Sequence, residues 1–291
     1  MTAVPAVPHT VGVLGGGRMG AGIAHAFCLA GASVVVVERD EASSDAARDR
    51  VERSLEASVK RGTTTETIAQ LASRMTFSTD YADFAPAELV VEAVPESLEL
   101  KLAALAGVEA AVGEGAWIAS NTSSISITAL AQTLSRPERF CGLHFFNPVP
   151  ASKLVEIVVG ESSAEQLISQ ARDWVAALRK TPVVARDVPG FASSRLGLAL
   201  SLEAMRMVED GVASAEDIDA AMVLGYGHPM GPLALTDVVG LDVRLGIAEY
   251  LHGALGERFA PPQVLRDKVS AGQLGRKSGQ GFYTWIDGEK K

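Results

Sequence analysis

Two residues with proton chemistry sit in the stretch "GLHFFNPVPASKLVEIVVG" (Gly142 to Gly160). His144 interrupts one apolar run and Glu156 the next; Asn147-Pro148-Val149-Pro150 separates the runs with the composition of a tight turn. A carboxylate in a buried strand is costly unless it has a partner. Alternation puts His144 on one face of its strand and Glu156, with Leu154 and Val158, on one face of the next. If the two strands are neighbours, Glu156 takes a hydrogen bond from one ring nitrogen and leaves the other to accept a proton from a substrate hydroxyl. The pair then has the parts of an oriented general base.

A second constellation opens the chain. In "HTVGVLGGGRMGAGIAHAFCLAGASVVVVERD", Val11, Val13 and Leu14 read as a strand, Ala21 to Ala30 as a helix, and Val34 to Val37 as a second strand closed by Glu38. Strand, glycine turn, helix and strand are the context in which Gly15-x-Gly17-x-x-Gly20 has meaning. Gly15 allows the tight turn, Gly17 lets backbone approach a pyrophosphate, and Gly20 lets helix and strand pack closely. Arg18 and Met19 lie in this turn, ahead of the helix, whose N-terminal free amides and partial positive charge favour phosphate. Glu38, at the end of the second strand, suits the ribose hydroxyls of NAD and repels the 2′-phosphate of NADP; Arg39 beside it weakens that preference. The expected cofactor is a dinucleotide, NAD.

The intervening elements place further polar groups. Ala42 to Leu71 reads as one or two charged helices, in which Lys60-Arg61 is either an ordinary solvated face or a basic handle for a phosphorylated substrate tail. "AELVVEAVPESLELK" and "AWIASNTSSISITALA" are each a strand running into a helix. They set Glu92 and Glu96, then Asn121-Thr122-Ser123-Ser124, at strand carboxyl ends, where ligands gather in an open parallel sheet. The hydroxyls there also suit helix capping and turn formation. His25, on the first helix, reads as a partly exposed residue rather than a ligand. Ser162-Ser163-Ala164-Glu165 has the pattern of a capping box, and "TPVVARD" reads as the last strand.

After Val188-Pro189-Gly190 the strand signals stop. Ala192 to Glu209 is apolar nearly all round, so it should be buried on more than one side. Ser214 starts a further helix, and the Pro229/Pro232 pair breaks the chain before others through Leu255. "GRKSGQGFY" is a basic, Gly-rich turn in which Lys277 is either a cofactor contact or plain surface, and His228 reads as a loop residue. The expected fold is α/β, a Rossmann-type doubly wound sheet over residues 1–188, followed by an all-helical C-terminal domain over 189–291. About a hundred helical residues are few to cover that much apolar surface, so a homodimer through this domain is expected.

At 291 residues, with 47% hydrophobic and 21% charged residues, the chain has the composition of a soluble globular protein. A net charge of −9 and no basic stripe argue against nucleic acid as a partner. Cys28 and Cys141 give no disulfide framework and read as buried small residues. The start "MTAVPAVPHT" is no secretory signal, no window spans a membrane, and no metal-ligand spacing is present. A cytoplasmic setting is expected.

Along nearly its whole length the sequence resembles the short-chain L-3-hydroxyacyl-CoA dehydrogenases, the 3-hydroxybutyryl-CoA dehydrogenase type. The resemblance rests on "GGGRMGAGIA", "VEAVPESLELK", "ASNTSSISITALA", "GLHFFNPVPASKLVEIV", "VPGFASSRL", "GYGHPMGPLALTDVVGLD" and "GRKSGQGFY", in this order and spacing. It implies reversible NAD-dependent oxidation of a short-chain 3-hydroxyacyl-CoA, a place in fatty acid and butanoate metabolism, and dimers built through the C-terminal region. It also implies that His144 is the catalytic base, Glu156 orients it, and Ser123 contacts substrate near the nicotinamide. By the same resemblance Glu38, Glu96, Lys101 and Lys277 contact NAD, and Ser54 and Arg61 contact CoA, although the family usually has Lys where Arg61 stands. One departure concerns "GFASSR": the family commonly carries Asn where Ser194 stands. Ser keeps a donor and an acceptor with shorter reach, which puts the role of Ser194 in aligning the acyl carbonyl in doubt. Two other readings stay open: a related dehydrogenase of a sugar acid or carnitine, and a non-catalytic NAD-binding structural protein.

Overall fold

The computed structural model describes residues 6–291; the first five residues of the N-terminal stretch read above lie outside them. The chain divides into two compact units, Met1–Val188 and Pro189–Lys291.

The first unit alternates strands and helices. In chain order these are β1 (Thr10–Leu14), α1 (Arg18–Leu29), β2 (Ser33–Val37), α2 (Glu41–Lys60), α3 (Ile68–Ala72), β3 (Met75–Ser78), β4 (Leu89–Glu92), α4 (Leu98–Ala111) and β5 (Trp117–Ser120). There follow α5 (Ile127–Ala131), β6 (Phe140–Phe145), β7 (Leu154–Val159), α6 (Glu165–Ala177) and β8 (Thr181–Arg186). All eight strands form one sheet in the order β3-β2-β1-β4-β5-β6-β7-β8. Pairing is parallel except between β6 and β7. Helices cover both faces of such a sheet, so its central strands are continuous apolar runs rather than alternating ones, as in SVVVV of β2. The order reverses direction at β1/β4, the switch point at which a doubly wound sheet opens a crevice. Asp40 starts α2 by accepting the Ser43 N–H at 2.7 Å.

Three local expectations change. His25 is 2% exposed, because α1 is covered by α2 on that side and the imidazole meets Ser58 there. No capping box forms at α6: its N-cap is Ala164, and the Ser163 hydroxyl instead donates to the Phe140 carbonyl at 2.6 Å. The tight turn read at Asn147–Pro150 is a longer connection, residues 146–153, between β6 and β7.

The second unit contains α7 (Ser193–Glu209), α8 (Ala215–Tyr226), α9 (Pro232–Val239), α10 (Leu241–Leu255) and α11 (Gln263–Ser270). It ends in a minimal hairpin of β9 (Trp285–Ile286) and β10 (Glu289–Lys290), a small addition to the all-helical expectation. Its core gathers Leu198, Leu202 and Met205 of α7 with Leu233, Leu241 and Leu251. Within the single chain α7 is not buried all round: Leu196 is 71% exposed.

Candidate active site

The glycine turn shows what each glycine does. Gly15 has φ +89°, where an L side chain is strained. At Gly20 an added Cβ would lie 1.7 Å from the Gly15 carbonyl oxygen, so helix and turn approach as only glycine allows. Gly17, the N-cap of α1, has open space where a side chain would stand, and no side chain caps the helix there. The cradle fits the pyrophosphate of a dinucleotide: α1 leaves its first amides for an anion to occupy. Arg18 is exposed at this end and Met19 half-buried. Glu38 lies across the turn, accepting the Gly16 N–H at 2.7 Å. Arg39, read as weakening the preference for NAD, is exposed and pairs with Asp40 at 3.0 Å.

At the carboxyl ends of β4 and β5 a buried ionic network forms. Glu92 is fully buried and accepts from Lys101 Nζ at 2.7 Å, the Val94 N–H at 2.7 Å and the Ser120 hydroxyl at 2.5 Å. Lys101, itself 1% exposed, also donates to the Val94 carbonyl at 3.2 Å and pairs with Glu96 at 3.3 Å. Glu96 Oε1 in turn accepts the Thr122 hydroxyl at 2.6 Å and the backbone N–H groups of Ser123 and Ser124 at 2.9 and 3.2 Å. Burial pushes the Glu96 carboxyl up, but the Lys101 charge and the donors of the serine turn outweigh it and hold the group below the usual carboxylate range. The Ser123 hydroxyl points to the same carboxylate at 3.3 Å.

The third cluster has groups suited to proton chemistry. His144 on β6 and Glu156 on β7 are direct register partners. Imidazole Nδ1 and carboxylate Oε2 stand 2.8 Å apart, with Glu156 fully buried and His144 6% exposed. Phe146 stacks obliquely on the imidazole at 4.3 Å between ring centroids. Two further groups brace the chain around this histidine. Asn121 Oδ1 accepts the Phe145 N–H at 2.9 Å, tying the end of β5 to β6. Lys180 Nζ donates to the carbonyls of Val149 and Ser152 and pins the connection after β6, and burial lowers its pKa.

The remaining residues make contacts of their own. Ser54 is half-buried within α2, and Arg61 is the exposed C-cap of that helix. On the same helix the Ser58 hydroxyl meets His25 Nε2 at 2.8 Å. Burial, then the positive charges of Arg61 and Lys180, lower the His25 pKa to about 4. In the second unit Ser194 stands half-buried in the first turn of α7. Lys277 is bound to both carboxylate oxygens of Asp242 at 2.6 Å. That contact helps hold the Asp242 carboxyl low against the opposing effect of burial.

The sequence reading therefore finds its residues in three groups: Gly15, Gly17 and Gly20 with Glu38; Glu96, Lys101 and Ser123; and His144 with Glu156. It missed the pairing of Glu92 with Lys101 and the bracing by Asn121 and Lys180. A carboxylate closing the apolar strand LVVE was the available signal for the first. A lone Lys in a polar turn gave none for the last. Among the described residues no group of three or more His, Cys, Asp or Glu side chains is placed to hold a metal.

An open α/β sheet with a dinucleotide cradle at its switch point and a buried His–carboxylate pair that begins three strands from the cradle's strand defines a nicotinamide-dependent oxidoreductase. Comparison with known proteins makes the class specific. Residues 10–188 match the NAD-binding domain of 3-hydroxyacyl-CoA dehydrogenases, and residues 190–285 match the C-terminal domain of the same enzymes. A probable 3-hydroxybutyryl-CoA dehydrogenase of Deinococcus radiodurans is 42% identical over 94% of this chain and 99% of its own. The 3-hydroxybutyryl-CoA dehydrogenase of Mycobacterium tuberculosis is 43% identical, over 94% of this chain and 98% of its own. The crystal structure of (S)-3-hydroxybutyryl-CoA dehydrogenase from Ralstonia eutropha, 39% identical, superposes with a TM-score of 0.92 over 97% of this chain and all of that one. The chain belongs to the 3-hydroxyacyl-CoA dehydrogenase family and is an NAD-dependent oxidoreductase.

Proposed function

We propose that this dehydrogenase acts on short-chain L-3-hydroxyacyl-CoA thioesters such as 3-hydroxybutyryl-CoA, with His144 as general base and Glu156 as its orienting partner. The observation that carries the reading is the 2.8 Å contact between Nδ1 of His144 and Glu156, closed off from solvent at the carboxylate. A carboxylate on Nδ1 selects the tautomer that carries its hydrogen there, so Nε2 is the nitrogen that takes the proton of the substrate 3-hydroxyl. NAD, when bound, would supply the hydride acceptor that oxidation of the carbinol to a 3-ketoacyl thioester requires. In the reverse direction the His144 imidazolium returns the proton to the carbonyl oxygen. Glu156, as a carboxylate against Nδ1, would stabilise the imidazolium at either stage.

Gly15, Gly17, Gly20, Arg18 and Met19 would hold the pyrophosphate, and Glu38 the adenosine ribose. Glu96, Lys101, Ser123 and Lys277 would serve the nicotinamide half. Ser123 and Ser194 would meet the acyl group, and Ser54 and Arg61 the CoA. The exposed apolar side chains Leu196, Val212, Leu224 and Tyr226 support a homodimer through the helical unit, a second copy covering surface that is costly to leave in water; sedimentation at micromolar concentration tests it. Among the described residues no helix is long and apolar enough to cross a membrane, and both cysteines are free, in keeping with a reducing cytoplasm. Mixing the protein with NADH and acetoacetyl-CoA tests the substrate reading. Loss of the NADH absorbance is the expected result, and a response to acetoacetate but not to its CoA thioester would refute it.

A further inference from the structure

We propose that Glu92 is a positioning residue for the cofactor: it fixes Lys101, and through Lys101 the Glu96–Ser123 turn, in a triad whose net charge of −1 favours the oxidised, cationic nicotinamide over the reduced, neutral one. The inference deepens the assignment of Glu96 and Lys101 to the nicotinamide half and rests on it.

The ionisation follows from the hydrogen bonds. Each oxygen of Glu92 faces a donor: the Lys101 ammonium and Val94 N–H on Oε1, the Ser120 hydroxyl on Oε2. The Ser120 oxygen, which donates to Oε2, also accepts the Thr122 N–H at 3.2 Å. With the Lys101 ammonium 2.7 Å from Oε1 and donors on both oxygens, the site fits a carboxylate better than an acid. Lys101 meets three acceptors, as many as an ammonium has hydrogens. Glu96 accepts from the serine turn and from Lys101. Two carboxylates and one ammonium leave one negative charge. Water reaches it at one end only, since the side chains of Glu92 and Lys101 are 0% and 1% exposed while that of Glu96 is 38% exposed.

The register gives the triad its place. Leu14, Glu92, Ser120 and Gly142 are consecutive partners across β1, β4, β5 and β6. Glu92 thus stands one strand from the glycine turn, and His144 lies two residues beyond Gly142 on β6. A dinucleotide with its pyrophosphate on that turn and its adenosine toward Glu38, the residue after β2, would extend its other half over the ends of β4 and β5. The open end of the triad is there. A resident negative charge attracts the cationic ring and not the neutral one, and burial of two of its three members limits screening.

Isothermal titration of the full-length protein with NAD+ and with NADH, without any acyl-CoA, tests this. The quantity read is the ratio of the two dissociation constants, oxidised over reduced. Glu92→Gln makes the triad neutral and should raise the ratio roughly threefold to tenfold. Glu92→Gln with Lys101→Met restores a charge of −1 and should bring the ratio back within about twofold of the parent, although both cofactors bind more weakly. An unchanged ratio in Glu92→Gln, or the same raised ratio in both variants, overturns the proposal and leaves Glu92 a packing residue. Should Glu92→Gln not fold, Glu96→Gln makes the same charge change at the exposed end. Any bond that Glu96 makes to a ribose is common to both cofactors and cancels, so the ratio must still rise; an unchanged one is fatal. No thioester enters the measurement, so an error in the acyl substrate would leave its outcome intact.

Discussion

Buried carboxylates occur in both units, and they do opposite things. In the helical unit Asp237 is fully buried and accepts from the Phe282 and Tyr283 N–H groups and the Trp285 indole, all at 2.9 Å. Asp219 accepts from the Leu233 and Ala234 N–H groups at the start of α9 and from the Tyr283 hydroxyl. Their donors are backbone amides and aromatic side chains that do not titrate near neutral pH. These two acids fasten the C-terminal segment to the helices and close the network. In the sheet unit Glu156 and Glu92 face His144 and Lys101, groups that carry or exchange protons. A buried carboxylate saturated by fixed donors stabilises a fold, whereas one set against an ionisable partner tunes that partner.

Five outcomes would break or sharpen this contrast. The largest concerns the sheet unit: His144→Ala should lower kcat by about a thousandfold with NADH affinity kept, measured by steady-state rates beside titration. A small rate loss would move the proton chemistry elsewhere. In the helical unit Asp237→Ala strands three buried donors and should cost about 3 kcal/mol in urea unfolding. Stability unchanged would mean that the fastening network carries nothing. His25 gives a case between the two, a buried titratable group without a catalytic assignment. Its pKa of about 4 in the folded chain lies below the ordinary 6.5. The unfolded chain therefore binds more protons between these values; the stabilisation is complete above about pH 6.5 and is lost as pH falls toward 4, to a limit of about 3 kcal/mol. Unfolding followed across this window should show the slope, and His25→Gln should flatten it. Arg61→Ala should raise KM for the CoA thioester about tenfold while KM for NADH stays constant, reading a phosphate contact at the surface. Equal KM values would favour a substrate without CoA. Smallest of all, Ser194→Asn should hold kcat within about tenfold of the parent, and a collapse would mean that the acyl pocket has been rebuilt around serine.

Much of the site was legible because its signals are local. A glycine turn between a strand and a helix needs only six residues to declare itself, and Glu38 follows at the end of the next strand. His144 and Glu156 were visible as polar residues where apolar ones belong. Other groups were hidden by their very ordinariness. His25 looked like a helix-surface residue because which side of α1 is covered depends on where α2 crosses it. Ser163 carried a capping pattern, yet its hydroxyl went to the Phe140 carbonyl, a partner supplied by a distant strand. Lys180 and Asn121 brace the β6 region through contacts that span 31 and 24 residues, and no periodicity encodes such a reach.

The sequence by itself determined the alternation of strands and helices, the glycine turn of the cradle, the His and Glu proposed as base and partner, and the change to helices after Val188. These follow from residue type, period and short-range backbone geometry. Only the tertiary structure decided that β6 and β7 pair in the register that opposes His144 to Glu156, and that Lys101 turns inward to Glu92. Register and burial are properties of the whole sheet: sliding one strand by a single residue would have turned the same side chains to its other face.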